Sequence, residues 1–289
     1  MPELPEVEVV KRSLEKKILN LTIKKVEVNV NKLRYKVNKD KISELVGKKI
    51  RKITRRSKFL IFEIDKSFNM LVHLGMTGKF FFINKKNKKF KTSFYYEINE
   101  NKDHKHDRII FYLNDKQKLV YNDVRKFGFV KFFDPEKYNK NIHLKDLGPE
   151  PLEKDFNFKY LKKFFSTRER NIKNTLMDQK CISGLGNIYV NEILFISGIK
   201  PTKKVFLLKD SEIKKILINT KKILRNSIKL GGSSIKDFSS DNGKKGLFQQ
   251  HFKVYGRNGE KCSNADCNFD IVKMKISNRA SFFCKRCQK

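Results

Sequence analysis

The sequence predicts an α+β, multidomain chain, on three observations. From about Thr22 to Asp134, short apolar runs alternate with polar punctuation. From about Phe156 to Leu230 the apolar spacing becomes helical. Four of the five cysteines fall in the last 28 residues. A chain of 289 residues holds two domains, or one large domain with a small appendage.

Taken in order, the first element is a helix. Val7, Val10, Leu14 and Ile18 lie on one face, Pro5 suits a first helical turn, and Glu6 and Glu8 favour its positive end. The runs TIKKVEVNV, FLIFEI, MLVHLG, KFFFIN, RIIFYL, KLVYND and FGFVKFF follow. They are rich in Val, Ile, Phe and Tyr, which predicts antiparallel strands of a sandwich or barrel. DPEKYNKNIHLKDLGPEP reads as a connector, and FKYLKKFF, NIYVNEILFIS and SEIKKILINTKKILRNSI read as helices, the second ended by Gly198 and Pro201. Residues 231–246, rich in Gly, Ser, Asp and Lys, read as a mobile loop.

The closing module carries Cys262-x4-Cys267 and Cys284-x2-Cys287. Four thiolates in two pairs suit one tetrahedral structural zinc ion, and the 16 residues between the pairs can form a β-hairpin. So short a module has no adequate core without metal. Cys181 reads as a small buried residue. No organic cofactor is expected.

The 66 Lys and Arg outweigh 31 Asp and Glu by +35. That charge calls for a polyanion partner, nucleic acid first and an anionic membrane surface second; part of the lysine reflects general composition. No stretch of 18 apolar residues exists, and MPELPEVEVV lacks the order of a signal peptide, so a cytoplasmic protein in a reducing compartment is expected.

Three local features offer chemistry. Pro2 follows the initiator Met, whose removal would leave a secondary amine able to attack a sugar C1′ and give an iminium directly. Glu3 is the adjacent acid, and the positive end of the helix favours carboxylate and a neutral amine there. Read alone, PELPEVE is more readily a Pro-and-Glu helix start than a reactive N-terminus. Arg279, between the cysteine pairs, either enters a DNA groove or phosphate site or is an ordinary exposed cation. Asn187 follows GLG at a helix start, where backbone amides favour phosphate.

Segments along the whole chain resemble the formamidopyrimidine-DNA glycosylase (Fpg/MutM) family. They are PELPEVE, RRSKFL around Lys58, HLGMTGKF from His73, KHD from Lys105 to Asp107, NDVRKFGF, LGPEPL, GLGNIYVNEILFISGIKP, GGSSIKDF, VYGRNGEKC and RASFFCKRCQK. The resemblance implies an N-terminal catalytic β-sandwich over 1–135 and a linker over 136–155. It also implies a helix–two-turns–helix domain with a lesion-covering loop over 156–246, and a zinc-finger β-hairpin over 247–289. DNA would lie in the cleft between them.

It further implies excision of oxidised purines from damaged double-stranded DNA by a monomer, followed by lyase cleavage through β,δ-elimination. Pro2 would be the Schiff-base nucleophile, Glu3 the acid, Glu6 its support, Lys58 the proton donor in β-elimination, and Arg279 a lesion-phosphate contact assigned to δ-elimination. Met76, Arg125 and Phe127 match the residues that fill the gap left by an everted base, although Met76 and Phe127 read alone as core. His73, His106, Lys126, Arg168 and Asn187 join Arg125 at DNA-contact positions.

The chain departs from the family at Val124 (usually proline), at Lys126 (usually arginine, so its phosphate contact loses the bidentate fork), at Arg108 (commonly a second histidine), and in the wider first cysteine knuckle. The oxidised-pyrimidine glycosylases of endonuclease VIII type begin more like PEGPE and lack the same wedge triplet. A non-catalytic zinc-finger DNA-binding protein would not account for Pro2, Glu3 and Lys58 together.

Overall fold

The computed structural model describes residues 2–65, 68–92, 104–233 and 247–289. It divides into two compact units, Met1–Lys145 with Leu230–Gln249, and Asp146–Lys229 with Gln250–Lys289.

The first unit opens with α1 (Leu4–Ile18), in which Val7, Val10, Leu14 and Ile18 are all fully buried. Burying each of these stabilises the helix by roughly 1.5–3 kcal/mol. Glu3 and Glu6 cap its start reciprocally, and Pro5 lies in the first turn, where a missing N–H costs nothing.

Two antiparallel sheets follow. The five-stranded sheet has the order β1-β7-β8-β5-β6, formed by Ile23–Val28, Asp107–Leu113, Lys118–Asp123, Gly78–Ile83 and Lys89–Lys91. The four-stranded sheet has the order β2-β3-β4-β9, formed by Ile50–Arg56, Phe59–Ile64, Phe68–His73 and Phe129–Phe133. Leu60, Phe62 and Val72 from the second sheet share one core with Phe80, Phe111 and Tyr121 from the first, so the unit is a β-sandwich; α1 packs on β2 and β3.

The expected strands are present, with two additions and several trimmed ends. β2 was not expected: in IRKITRR only Ile50 and Ile53 are buried, and the intervening basic residues hide the strand. The short edge strand β6 and the helix α2 (Lys39–Ser43) were also not foreseen. Leu74 and Gly75 lie beyond the end of β4, and Phe127 and Gly128 lie before the start of β9.

These trimmed residues belong to two connections that position the candidate site. Residues 74–77 lead from β4 in one sheet to β5 in the other, and residues 124–128 lead back from β8 to β9. Because His73 pairs with Phe129 and Gly78 pairs with Asp123, the two crossings run side by side.

The second unit holds α3 (Phe158–Ser166), α4 (Ile172–Met177), α5 (Asn187–Ser197), α6 (Asp210–Lys229) and the hairpin β10 (Ile271–Ile276) and β11 (Arg279–Cys284). Gly198 closes α5 in a left-handed conformation, as its sequence position predicts. Ser277 and Asn278 both have positive φ, which a tight two-residue hairpin turn requires, and Arg279 follows directly. Of the loop expected over 231–246, residues 234–246 lie outside the described residues. Among the described residues no helix is long and apolar enough to cross a membrane.

Candidate active site and metal centre

Pro2 is buried immediately before α1, and Glu3 and Glu6 are buried at its first turn. The Glu3 amide donates to Glu6 Oε2 at 2.9 Å. The other oxygen of Glu6, Oε1, accepts from the Ser233 amide at 2.8 Å and the Ser233 hydroxyl at 2.9 Å. Glu6 therefore joins the start of α1 to Ser233, directly after Gly231 and Gly232. Met1 lies outside the described residues.

Lys58 is buried in the tight turn between β2 and β3, where Ser57 adopts a positive φ. Arg55 fixes that turn: it donates to Ser57 O at 3.0 Å and to Glu8 of α1 at 2.9 Å. Burial lowers the His73 imidazole to about 4, and the charges of Lys58, Arg34 and His143 push the same way. The ring is thus neutral near pH 7. Its Nδ1 accepts from the Gly75 amide at 3.0 Å, which leaves the proton on Nε2. His73 also stacks on Phe129, with ring centroids 5.4 Å apart.

The two crossing connections bring Met76, Arg125, Lys126 and Phe127 into one place. Met76 is half-buried, whereas Phe127 is 45% exposed, with the Arg125 guanidinium 4.5 Å above its ring. Read alone, Phe127 looked like core; it projects because it sits on a crossing, not on a strand.

In the second unit the hairpin is bonded to the helices at several points. Asn187 at the start of α5 donates to Ala280 O at 3.0 Å. One turn on, Asn191 accepts from the Phe282 amide at 2.7 Å. The buried Glu192 carboxylate accepts the amides of Lys253, Val254 and Tyr255 at 2.8–3.0 Å. Burial raises its pKa, and these three amides pull it back. Lys173 of α4 is fully buried and donates to Ala280 O at 2.8 Å and Ser281 Oγ at 2.6 Å. Burial lowers its ammonium to about 8, with the charge of Arg279 adding to the shift.

Arg279 itself is exposed and lines a groove of about 600 Å³ with Arg170, Asn171, Asn174 and Lys204. Arg168 bonds only locally among the contacts resolved: its guanidinium lies 3.4 Å over the Phe164 ring and donates to Phe164 O at 2.7 Å.

Removing the Glu192 carboxylate orphans three amides at once. Glu192→Ala should destabilise the second unit by about 2–4 kcal/mol, measured as a lowered midpoint in thermal or urea denaturation.

The Sγ atoms of Cys262, Cys267, Cys284 and Cys287 all lie within 4.8 Å of one another. Cys262 and Cys287 are 3.8 Å apart, and Cys267 and Cys284 are 3.5 Å apart. A tetrahedron with metal–sulfur bonds of about 2.3 Å has sulfur–sulfur edges of about 3.8 Å. The cluster therefore fits a metal ion, and the wider first knuckle does not prevent it. Cys181 is buried elsewhere, as expected.

Known proteins resemble the chain along its length. Residues 1–130 match the family model for the formamidopyrimidine-DNA glycosylase N-terminal domain, and residues 147–239 match that for its H2TH domain. The chain belongs to the formamidopyrimidine-DNA glycosylase family. The Rickettsia bellii formamidopyrimidine-DNA glycosylase is 39% identical over 289 residues, with both chains covered in full. That of Rickettsia conorii is 38% identical over 288 residues, covering 100% of this chain and 99% of its own. A Lactococcus lactis Fpg mutant in complex with Fapy-dG-containing DNA superposes with a TM-score of 0.85 at 35% identity, both chains covered in full. A MutM complex with DNA containing carbocyclic 8-oxo-G gives 0.84 at 35% identity, again over 100% of each chain.

Against this family's pattern, Arg108 has acquired partners of its own. It is buried, donates through Nε to Asp123 O at 2.9 Å, and donates through a terminal nitrogen to His106 Nδ1 at 3.0 Å. Arginine can only donate, so His106 carries its proton on Nε2. Val124, in the proline position, is exposed, and Lys126, in the second arginine position, takes a positive φ of 57°.

Sequence reasoning missed Lys173, Asn191, Glu192 and Asp123 as site-building residues. The spacing of Asn187 and Asn191 by one helical turn was a readable signal. Nothing local marked Lys173.

Proposed function

We propose that this chain is a bifunctional base-excision repair enzyme. As a DNA glycosylase it removes oxidised purines, 8-oxoguanine and formamidopyrimidines, from double-stranded DNA. As a lyase it then cleaves the strand at the abasic site. The observation that carries this reading is the buried sequence Pro2, Glu3 and Glu6 at the positive end of α1. The Lactococcus lactis and MutM relatives, solved with Fapy-dG and 8-oxo-G DNA, support the lesion class.

With Met1 removed, the Pro2 nitrogen attacks C1′ and the glycosidic bond breaks. Glu3 supplies the proton for base loss and for sugar opening, and the product is an iminium between Pro2 and C1′. The iminium acidifies C2′, so a proton leaves there and the 3′ phosphate departs. Lys58 serves this β-elimination as proton donor and phosphate contact, and Arg279 serves the following δ-elimination. Met76, Arg125 and Phe127 fill the space behind the everted nucleotide, and Arg125 faces the orphaned base.

His73, His106, Lys126, Arg168 and Asn187 hold the DNA backbone. Cys262, Cys267, Cys284 and Cys287 hold one zinc ion, which supplies folding free energy rather than chemistry. The working division is catalytic residues 1–135, linker 136–155, helical residues 156–246 with the loop over the lesion, and zinc finger 247–289. The enzyme acts as a monomer on DNA in the cytoplasm.

The test is excision from duplexes holding 8-oxoguanine opposite C or thymine glycol opposite A, with borohydride trapping and mass spectrometry of the mature N-terminus. We expect preference for 8-oxoguanine, a covalent adduct, and a chain beginning at Pro2. Preference for thymine glycol would favour the endonuclease VIII type. No adduct, or one undiminished in Pro2→Gly, would overturn the mechanism.

A further inference from the structure

Asp123 ends β8 with no exposed surface, and both of its carboxylate oxygens are engaged. Oδ1 accepts the hydroxyl of Thr77, and Oδ2 accepts the Gly128 amide at 2.8 Å and the Tyr121 hydroxyl at 3.5 Å. Burial, followed by Asp123 itself, keeps that phenol firmly protonated as a donor. Thr77 Oγ1 in turn accepts the Arg125 amide at 2.9 Å.

The sequence of bonds is therefore Arg125 N–H to Thr77 O–H to Asp123, with Gly128 N–H on the other oxygen. It brackets residues 124–128 at both ends and ties them to the crossing that carries Met76. The two crossings also touch backbone to backbone. A Cβ on Gly75 would lie 2.4 Å from Phe127 C, and one on Gly128 would lie 2.6 Å from His73 O. Arg108 completes the frame by bonding the Asp123 carbonyl.

We infer that Asp123, relayed through Thr77, is a positioning residue that sets Met76 against Arg125 and Phe127, and so determines how well the enzyme holds a nucleotide out of the duplex. This rests on the proposed role of those three residues behind an everted nucleotide. The four residues between Asp123 and Gly128 are exposed, so the fixed ends supply the order that burial does not. A buried carboxyl group that accepts from three donors makes a frame stiffer than a single hydrogen bond would.

The experiment places 2-aminopurine opposite a stable abasic analogue in a duplex and follows its fluorescence on binding. Wild-type protein should raise the signal as the wedge enters the stack. Asp123→Asn and Thr77→Val should lose most of that rise, while Thr77→Ser, which keeps the hydroxyl, restores it. Excision of 8-oxoguanine opposite C should fall roughly 10–100-fold relative to trapping on a single-stranded abasic oligonucleotide, which offers no partner strand to enter. Preference for C over A opposite the lesion should fall with it.

A uniform loss on both substrates, or Thr77→Val indistinguishable from Thr77→Ser, overturns the inference. Wild-type protein that unstacks the reporter but excises no oxidised purine would instead count against the proposed function and leave this inference standing.

Discussion

Glu3→Gln should lower excision of 8-oxoguanine from duplex DNA by roughly 10²–10⁴-fold, the span of a general acid. The substitution suits the test because it separates the proton from the fold. Glu3 caps α1 through its side chain and has its own amide held by Glu6 Oε2. Glutamine keeps an oxygen to accept the capping amide, so the helix start and the place of Pro2 should survive. What is lost is the acid. A preformed abasic site has already shed its base and exists partly as the open aldehyde, so the Pro2 amine reaches it without that proton. Borohydride trapping on the abasic site should fall far less than excision. Equal loss on both substrates would reassign Glu3 from acid to scaffold, and unchanged excision would remove it from the reaction.

The sequence made some of this legible and hid the rest for identifiable reasons. The apolar face of α1 is local periodicity, and every member of it is buried. The cysteine spacing is equally local, and the four sulfurs do cluster. β2 escaped because its two buried residues, Ile50 and Ile53, are three apart across an irregularity in register, so the period-2 alternation that marks a strand is broken by basic residues. The crossings escaped because sheet membership is tertiary: the sequence of residues 70–84 reads as two strands and says nothing about their entering different sheets. That is why Phe127 and Met76 looked like core without the family resemblance. Asp123, Lys173 and Glu192 escaped for the same reason, since each bonds a partner far along the chain: the Thr77 hydroxyl, the Ala280 carbonyl and the amides of residues 253–255 respectively. Arg108 is the reverse case. The sequence flagged it as a departure, and only its bonds to His106 and Asp123 give the departure a physical meaning.

Stripping the proposed zinc should have the second large effect, and its distribution along the chain is the informative part. Structural zinc contributes about 10–16 kcal/mol to small metal-folded modules. The apolar support of the cysteine knuckles is slight by comparison, chiefly Phe195, Val254, Ile271 and Phe282. Yet the hairpin has anchors that owe nothing to metal: Lys173 and Asn187 on Ala280 and Asn191 on Phe282 in β11, and Asn174 on Ser277 of the turn at 2.8 Å. Beyond Cys284, Gln288 holds the Cys284 amide at 2.9 Å and donates to Ile199 O at 2.8 Å. Chelation should therefore open residues 262–270 first and leave residues 279–283 attached to α4 and α5. Hydrogen exchange should rise steeply in the former and modestly in the latter, with stoichiometric zinc released and DNA affinity sharply reduced. Cys267→Ala should reproduce the pattern, because it removes a ligand without touching an anchor. Exchange that rises equally across both segments would mean that the metal, and not the polar seam, holds Arg279 in place.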